Sequence, residues 1–229
     1  MTDATLAQRL TDVQDGIADA AAEAGRSAGE ITTVVVTKFQ PVELLRELVE
    51  LGVHDLGENR HQEAREKASE LTGLGIRWHF VGQLQGKKAK QVREYASVIH
   101  SVDRPALVHA LASDESSVDC FVQVNLTGDP ERGGASPSQL PGLVDDVLAT
   151  PGLRLLGLMA VAPLDEEPRR AFAHVRALSE RIRSQAPDAV AMSMGMSGDY
   201  RAAILEGATH LRIGTAITGN RPQPRLISN

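Results

Sequence analysis

From Ile31 to the end of the chain, short apolar runs alternate with helical segments about eight times over, and no other feature restricts the fold as much. ITTVVVT precedes PVELLRELVEL, VHDLG precedes RHQEAREKASEL, RWHFVG precedes GKKAKQVREYA, and SVIHSV precedes RPALVHALA. VDCFVQVNL is separated by the glycine-rich GDPERGGAS from PSQLPGLVDDVLA. LRLLGLMAV then leads to DEEPRRAFAHVRALSERIRSQ, AVAMSMG to SGDYRAAILEG, and HLRIG to a short proline-bearing tail, NRPQPRLISN. Runs rich in β-branched residues, stiff at χ1, favour buried strands, and their helical partners imply parallel crossovers. Eight such units are the count of a TIM-type (β/α)8 barrel, with the last helix short or replaced by the tail. A doubly wound open sheet shares the alternation, but the number of units favours closure.

Ahead of the first strand, Leu6, Leu10, Val13, Ile17, Ala20 and Ala24 recur every three or four residues. That spacing predicts an amphipathic helix over 3–24 stopped by Gly25. No composition shift or linker divides the 229 residues, so a single barrel domain over 1–229 is expected, with the N-terminal helix packed on it. No apolar stretch reaches the length of a membrane span and no export signal opens the chain. The lone Cys120 excludes an internal disulfide and a cysteine-based zinc site, and fits the reducing cytoplasm. A net charge of −6 argues against a nucleic-acid binder. The basic run GKKAKQVR (86–93) reads as a solvated helix face, with a phosphate or partner contact as the minority alternative.

A barrel collects its strand ends at one mouth, so the residues there are the candidates. They are Lys38, then Glu58 and Asn59, then His79, Gly82 and Gln83, then His100 and Ser101, Asn125, Met159, the stretch SMGMSGD, and Arg212 with Gly214 and Thr215. Lys38 by itself reads first as a surface lysine, its stem along apolar surface and its ammonium in water. Alternation sets His79 on the face opposite Trp78 and Phe80, as a hydrogen-bonded core histidine or a residue behind the site. Glu58, Glu63 and Glu66 read as the acidic first turns of a helix, and Met192, Met194 and Met196 as core filling. Arg212 lies inside an apolar strand and needs a carbonyl, an anion or a ligand acceptor. SMGMSGD and RIGTA, after the seventh and eighth strands, combine glycine, hydroxyls and a following helix N-terminus, which describes a phosphate cup. A lysine facing such a cup suggests imine chemistry with a phosphosugar or with pyridoxal phosphate.

VVVTKFQP, LGENRHQE, WHFVGQLQGKK, IHSVDR, GLMAVAP, MSMGMSGDYRAAILEGAT and LRIGTAITG, in this order, resemble the pyridoxal phosphate homeostasis protein family, the YggS-like proteins, from about residue 6 to the end. The resemblance implies a fold-type III pyridoxal 5'-phosphate barrel with an extra N-terminal helix and no second β domain. It implies Lys38 as the lysine of the internal aldimine, Ser197, Gly214 and Thr215 at the phosphate, Arg212 facing the pyridine nitrogen, and Asn59 near the ring. Arg60 departs from the aromatic residue frequent after GEN, and GKK from the usual small-Asn-Lys run. The implied function is storage or delivery of pyridoxal phosphate, without an established catalytic reaction and with no residue assigned a catalytic role. The alternative is an amino-acid racemase or related fold-type III enzyme. A phosphosugar aldolase or isomerase using Lys38 without cofactor is a third reading. The expected partners are pyridoxal phosphate and pyridoxal-phosphate-dependent apo-enzymes, with no metal, nucleic acid or membrane; the expected state is a monomer.

Overall fold

The computed structural model describes residues 4–220. The beginning of the predicted N-terminal helix, residue 3, and the tail after Asn220 lie outside them. Eight parallel strands form a closed barrel in sequence order: β1 (Thr32–Val36), β2 (Asp55–Glu58), β3 (Arg77–Phe80), β4 (Val98–Val102), β5 (Val118–Gln123), β6 (Leu153–Met159), β7 (Ala191–Ser193) and β8 (His210–Ile213). Closure is made by β1 on β8, with Thr32 opposite His210 and Val34 opposite Arg212. The barrel read from the sequence is thus present, and the open sheet is not.

Helices α1 (Leu6–Glu23), α2 (Val42–Glu50), α3 (His61–Glu70), α4 (Ala89–Arg93), α5 (Pro105–Ala110), α6 (Leu140–Ala149), α7 (Pro168–Ile182), α8 (Tyr200–Leu205) and α9 (Thr215–Thr218) surround it. The α1 stripe of Leu6, Leu10, Val13, Ile17 and Ala20 is buried, as its spacing predicts, and α1 starts at an N-cap in which Thr5 accepts from the Gln8 amide. It packs on α8 and α9. Among the described residues the last helix is the four-residue α9, short as expected.

Most of the apolar core lies between the barrel wall and the helices, where outward strand residues such as Val35, Leu56, Trp78, Phe80, Ile99 and Leu211 meet the helical stripes. Inside the barrel the apolar filling is small: Val98, Phe121 and Met159 form a separate cluster. Val34, opposite Arg212, is buried with it, and much of the remaining lumen is polar. Toward the strands' N-terminal ends, Asp119 accepts from Arg77 Nη2 at 2.9 Å and from Arg154 Nε and Nη2 at 2.5 and 2.7 Å. Above it lie His79, His100, Ser193 and Arg212, all buried. TIM-type barrels usually fill these layers with branched apolar side chains. Buried polar groups here must therefore satisfy one another, and their pairing decides what the lumen does.

The basic run is half as predicted. Lys87 and Lys90 are exposed, and α4 buries only Ala89 and Val92. Arg93 turns inward instead and donates to the carbonyls of Leu111, Gly152 and Ser116, tying three loops together.

Candidate functional site

Lys38 follows β1 in a reverse turn closed by the Gln40 amide donating to Thr37 O at 3.0 Å. Its side chain is exposed and makes no hydrogen bond or ion pair within the described residues. The next residue, Phe39, has φ 65°, a region that bulky side chains avoid and that costs on the order of 1–3 kcal/mol unless its surroundings impose it.

The surroundings do impose it. Lys67 on α3 is 5% exposed and donates to Thr37 O at 2.8 Å, to Glu58 Oε1 at 2.7 Å and to Glu63 Oε1 at 2.7 Å. Glu63 Oε1 also accepts from the Phe39 amide at 2.6 Å, and Glu58 Oε1 from the Thr37 hydroxyl at 2.7 Å. Both peptide neighbours of Lys38 are thereby tied to one buried ion cluster, and the Arg60 guanidinium lies 4.8 Å over the Phe39 ring as an outer cover. Burial pushes the Glu58 carboxyl up, against the pull of Lys67 and Thr37. Its second oxygen, Oε2, is buried without a partner. Glu58 corrects the reading as an acidic helix turn, since it ends a strand; Glu63 does lie in the first turn of α3, as read, and both anchor the lysine turn.

Lys67 and its role escaped the sequence reading. A signal was present: HQEAREKASE offers only two alanines to the core, so a helix packed on the barrel with that sequence must bury a polar residue.

On the other side of β1, Gly214 follows β8 directly beside Val36; a Cβ there would lie 3.7 Å from Val36 O. The two turns of the expected cup are joined, since Ser197 Oγ accepts from the Ala216 amide at 3.3 Å. The amides of Ser197, Gly198 and Thr215 donate to no group within the described residues, which leaves three N–H donors at the mouth. Gly195, at φ 94°, has its Cβ position 2.6 Å from Ala203 Cβ, so only glycine lets α8 close under this turn.

Arg212 lies deeper, in the lumen. Nη1 donates to Ser193 O and Ser193 Oγ, each at 2.7 Å, and Nη2 donates to Ala160 O at 2.9 Å. These are the carbonyl acceptors that a guanidinium inside a strand requires, and burial lowers its pKa to about 10. No carboxylate touches it among the described residues.

Asn59 follows β2, the strand next to β1, and its Oδ1 is buried without a partner. Gly82 is forced by it: a Cβ on Gly82 would sit 2.1 Å from Asn59 O. Asn59 also lines a cavity of about 280 Å³ together with Arg60, Phe80, Gln83 and Lys88.

Other strand-end candidates are committed elsewhere. Asn125 Oδ1 accepts from the Thr127 and Gly128 amides within its own loop. Met192 and Met194 are core, as read, while Met196 is exposed. His79 is buried in the lumen opposite Trp78 and Phe80, as strand parity predicts, and is hydrogen-bonded at both nitrogens. Cys120 is buried and its thiol is pushed up to about 12.

The mouth thus gathers one uncommitted amine, a set of free N–H donors with hydroxyls, an orphaned amide oxygen and a cation able only to donate. That set fits a planar group carrying an aldehyde at one side, a phosphate at another and a ring nitrogen that needs a donor. It does not fit a group whose ring nitrogen needs a carboxylate.

Comparison with known proteins shows the family. Residues 18–222 match the alanine racemase N-terminal domain family. A pyridoxal phosphate homeostasis protein of Corynebacterium glutamicum is 42% identical over 213 residues, covering 87% of this chain and 95% of that protein. One of Escherichia coli is 34% identical over 226 residues, covering 94% and 97%. The structure of PipY of Synechococcus elongatus with PLP bound superposes with a TM-score of 0.81 at 32% identity, covering 94% of this chain and 100% of that one. By fold, by length and by sequence, the chain belongs to the pyridoxal phosphate homeostasis protein family.

Proposed function

We propose that this chain binds pyridoxal 5'-phosphate at the C-terminal mouth of the barrel and keeps it in store for delivery. In this reading Lys38 holds the aldehyde through a reversible Schiff base. Ser197, Gly214 and Thr215 hold the phosphate, Asn59 lies beside the ring, and Arg212 faces the ring nitrogen. When bound, the cofactor supplies an electrophilic carbon and an aromatic ring that draws electrons. The observation that carries the reading is the Lys38 turn itself: an exposed, unpaired amine whose two peptide neighbours are fixed by a buried ion cluster, one strand away from a cup of free amides.

A storage role rather than catalysis follows from the same residues. Arg212 can donate to a ring nitrogen but cannot give it a proton at neutral pH, which weakens the ring as an electron sink. A racemase also needs a second base opposite its lysine. Neither tyrosine serves: Tyr95 pairs with His61 outside the barrel, and Tyr200 packs against Gly16 of α1. Release then proceeds by exchange of the Lys38 amine for an accepting amine, with apo-enzymes that use the cofactor as recipients. One barrel domain and a monomer suffice for this, and the cytoplasm is the proposed location. No helix of the described residues is long and apolar enough to cross a membrane.

The test is an equilibrium titration with pyridoxal phosphate. Wild type should develop a visible absorption band; Lys38→Ala should lack it. An unchanged band in Lys38→Ala overturns the assignment. Loss of the α-hydrogen from amino acids in deuterated solvent at enzyme-like rates supports the racemase instead.

A further inference from the structure

A continuous line of hydrogen bonds crosses the barrel lumen through five strands. Arg212 Nη1 on β8 donates to Ser193 Oγ on β7 at 2.7 Å. Ser193 Oγ lies 2.8 Å from His100 Nδ1 on β4, and His100 Nε2 lies 2.9 Å from His79 Nδ1 on β3. His79 Nε2 lies 2.8 Å from Asp55 Oδ1 on β2. Asp55 is the first residue of its strand, at the opposite end of the barrel from Lys38, with a side chain 30% exposed.

The hydrogens of this line can be assigned without further measurement. The Asp55 carboxylate only accepts, so His79 carries its proton on Nε2 and gives it to Oδ1. In a neutral ring His79 Nδ1 is then bare and accepts from His100 Nε2–H, which leaves His100 Nδ1 bare to accept the Ser193 hydroxyl hydrogen. Ser193 Oγ accepts in turn from the Arg212 guanidinium, which only donates. Four bonds use four hydrogens, all pointing from Arg212 toward Asp55. The groups facing the two rings agree with neutral imidazoles: burial, Arg212, Arg77 and His210 hold His100 well below its ordinary value, and burial outweighs the pull of Asp55 and Asp119 at His79. Phe121 stacks on His100 at 4.7 Å and closes the remaining side.

We infer that Asp55, His79, His100 and Ser193 are positioning residues for Arg212: a one-way relay, begun by the acceptor at Asp55, that fixes how the guanidinium is presented to the mouth. The inference rests on the reading that Arg212 faces the ring nitrogen of the bound cofactor. It extends the determinants of that contact to the far end of the barrel, beyond the reach of any ligand.

The first measurement needs no ligand. Long-range ¹⁵N–¹H spectra of the imidazoles in the apo-protein at neutral pH should show His79 and His100 neutral and protonated at Nε2. A proton on Nδ1 of either ring overturns the relay. The second uses pyridoxal phosphate labelled with ¹⁵N at the ring nitrogen, titrated into wild type, Ser193→Ala, Asp55→Leu and Asp55→Asn. Ser193→Ala and Asp55→Leu should bind about tenfold more weakly and move the ring-nitrogen shift, whereas Asp55→Asn, whose amide oxygen still accepts from His79, should stay within about twofold of wild type. Borohydride-fixed label should remain on Lys38 in all four. If Ser193→Ala and Asp55→Leu bind with wild-type affinity and shift, the relay does not position Arg212. If wild type itself takes up no cofactor at Lys38, the proposed function fails, and the tautomer spectra still decide whether the relay exists.

Discussion

Replacing Lys67 by methionine keeps the helical stem and removes only the ammonium, so it isolates the ion cluster that holds the Lys38 turn. The ammonium makes three hydrogen bonds, two of them to carboxylates at 2.7 Å, with the side chain 6% exposed. Two charge-assisted bonds at about 1.5–3 kcal/mol each would suggest a loss of about 3–6 kcal/mol. Relief from burying the ammonium offsets part of this, and the Glu58 carboxylate left behind in the core adds to it, for a net cost of about 3–5 kcal/mol. Glu58→Gln should cost only about 1–2 kcal/mol, because Lys67 keeps Glu63, Thr37 O and an amide oxygen as acceptors while a buried charge is removed. The double variant should be more stable than Lys67→Met, since no unpaired carboxylate is then buried. Urea unfolding with unchanged slope measures each value. The Glu58 carboxyl is already raised by burial, so its neutral form suits the fold; the Lys67→Met deficit should therefore grow as pH rises from about 5 to about 8. The Phe39 amide, which loses a fixed acceptor once Glu63 is released, should exchange its hydrogen faster. A Lys67→Met cost under about 1 kcal/mol, or a double variant no more stable than the single one, would refute the clamp.

Three further outcomes are expected. His210 is held down to about 4 from 6.5 by burial, and His79 and His100 are lowered with it. The unfolded chain binds these protons first, so stability should be level above about pH 7 and fall as pH drops from about 6.5 toward 4, His210 alone accounting for about 3 kcal/mol; denaturant midpoints across this window check it. Gly82→Ala puts a methyl into Asn59 O and should cost about 2–3 kcal/mol in a melting experiment, with loosened cofactor binding. Ser197→Ala should weaken pyridoxal phosphate by about fivefold while leaving unphosphorylated pyridoxal unchanged, if its hydroxyl serves the phosphate.

Much of this fold was legible because barrel strands advertise themselves. Short apolar runs, each followed by a helical segment, could be counted, and the residue ending each run could be named. Strand parity also placed His79 in the lumen, and the rule that a buried guanidinium needs acceptors anticipated the carbonyls of Ser193 and Ala160 around Arg212. What stayed hidden depends on register between strands or on a helix's roll. His79 meets His100 because β3 and β4 pair with His79 opposite Val98, a fact absent from either strand alone. Lys67 looked like one more charge on a polar helix, and only the packing of α3 against the ends of β1 and β2 turns it inward. Arg93 was misread for the same reason: within GKKAKQVR nothing separates the arginine that reaches loop carbonyls from the lysines that face water.

The central claim is that the amine at position 38 captures the aldehyde of pyridoxal phosphate. Reducing the loaded protein with borohydride, digesting it and locating the modified peptide tests this directly. The account predicts a phosphopyridoxyl group on Lys38 and none on the buried Lys67. Label spread over surface lysines such as Lys87 and Lys90, with Lys38 unmodified, would contradict it.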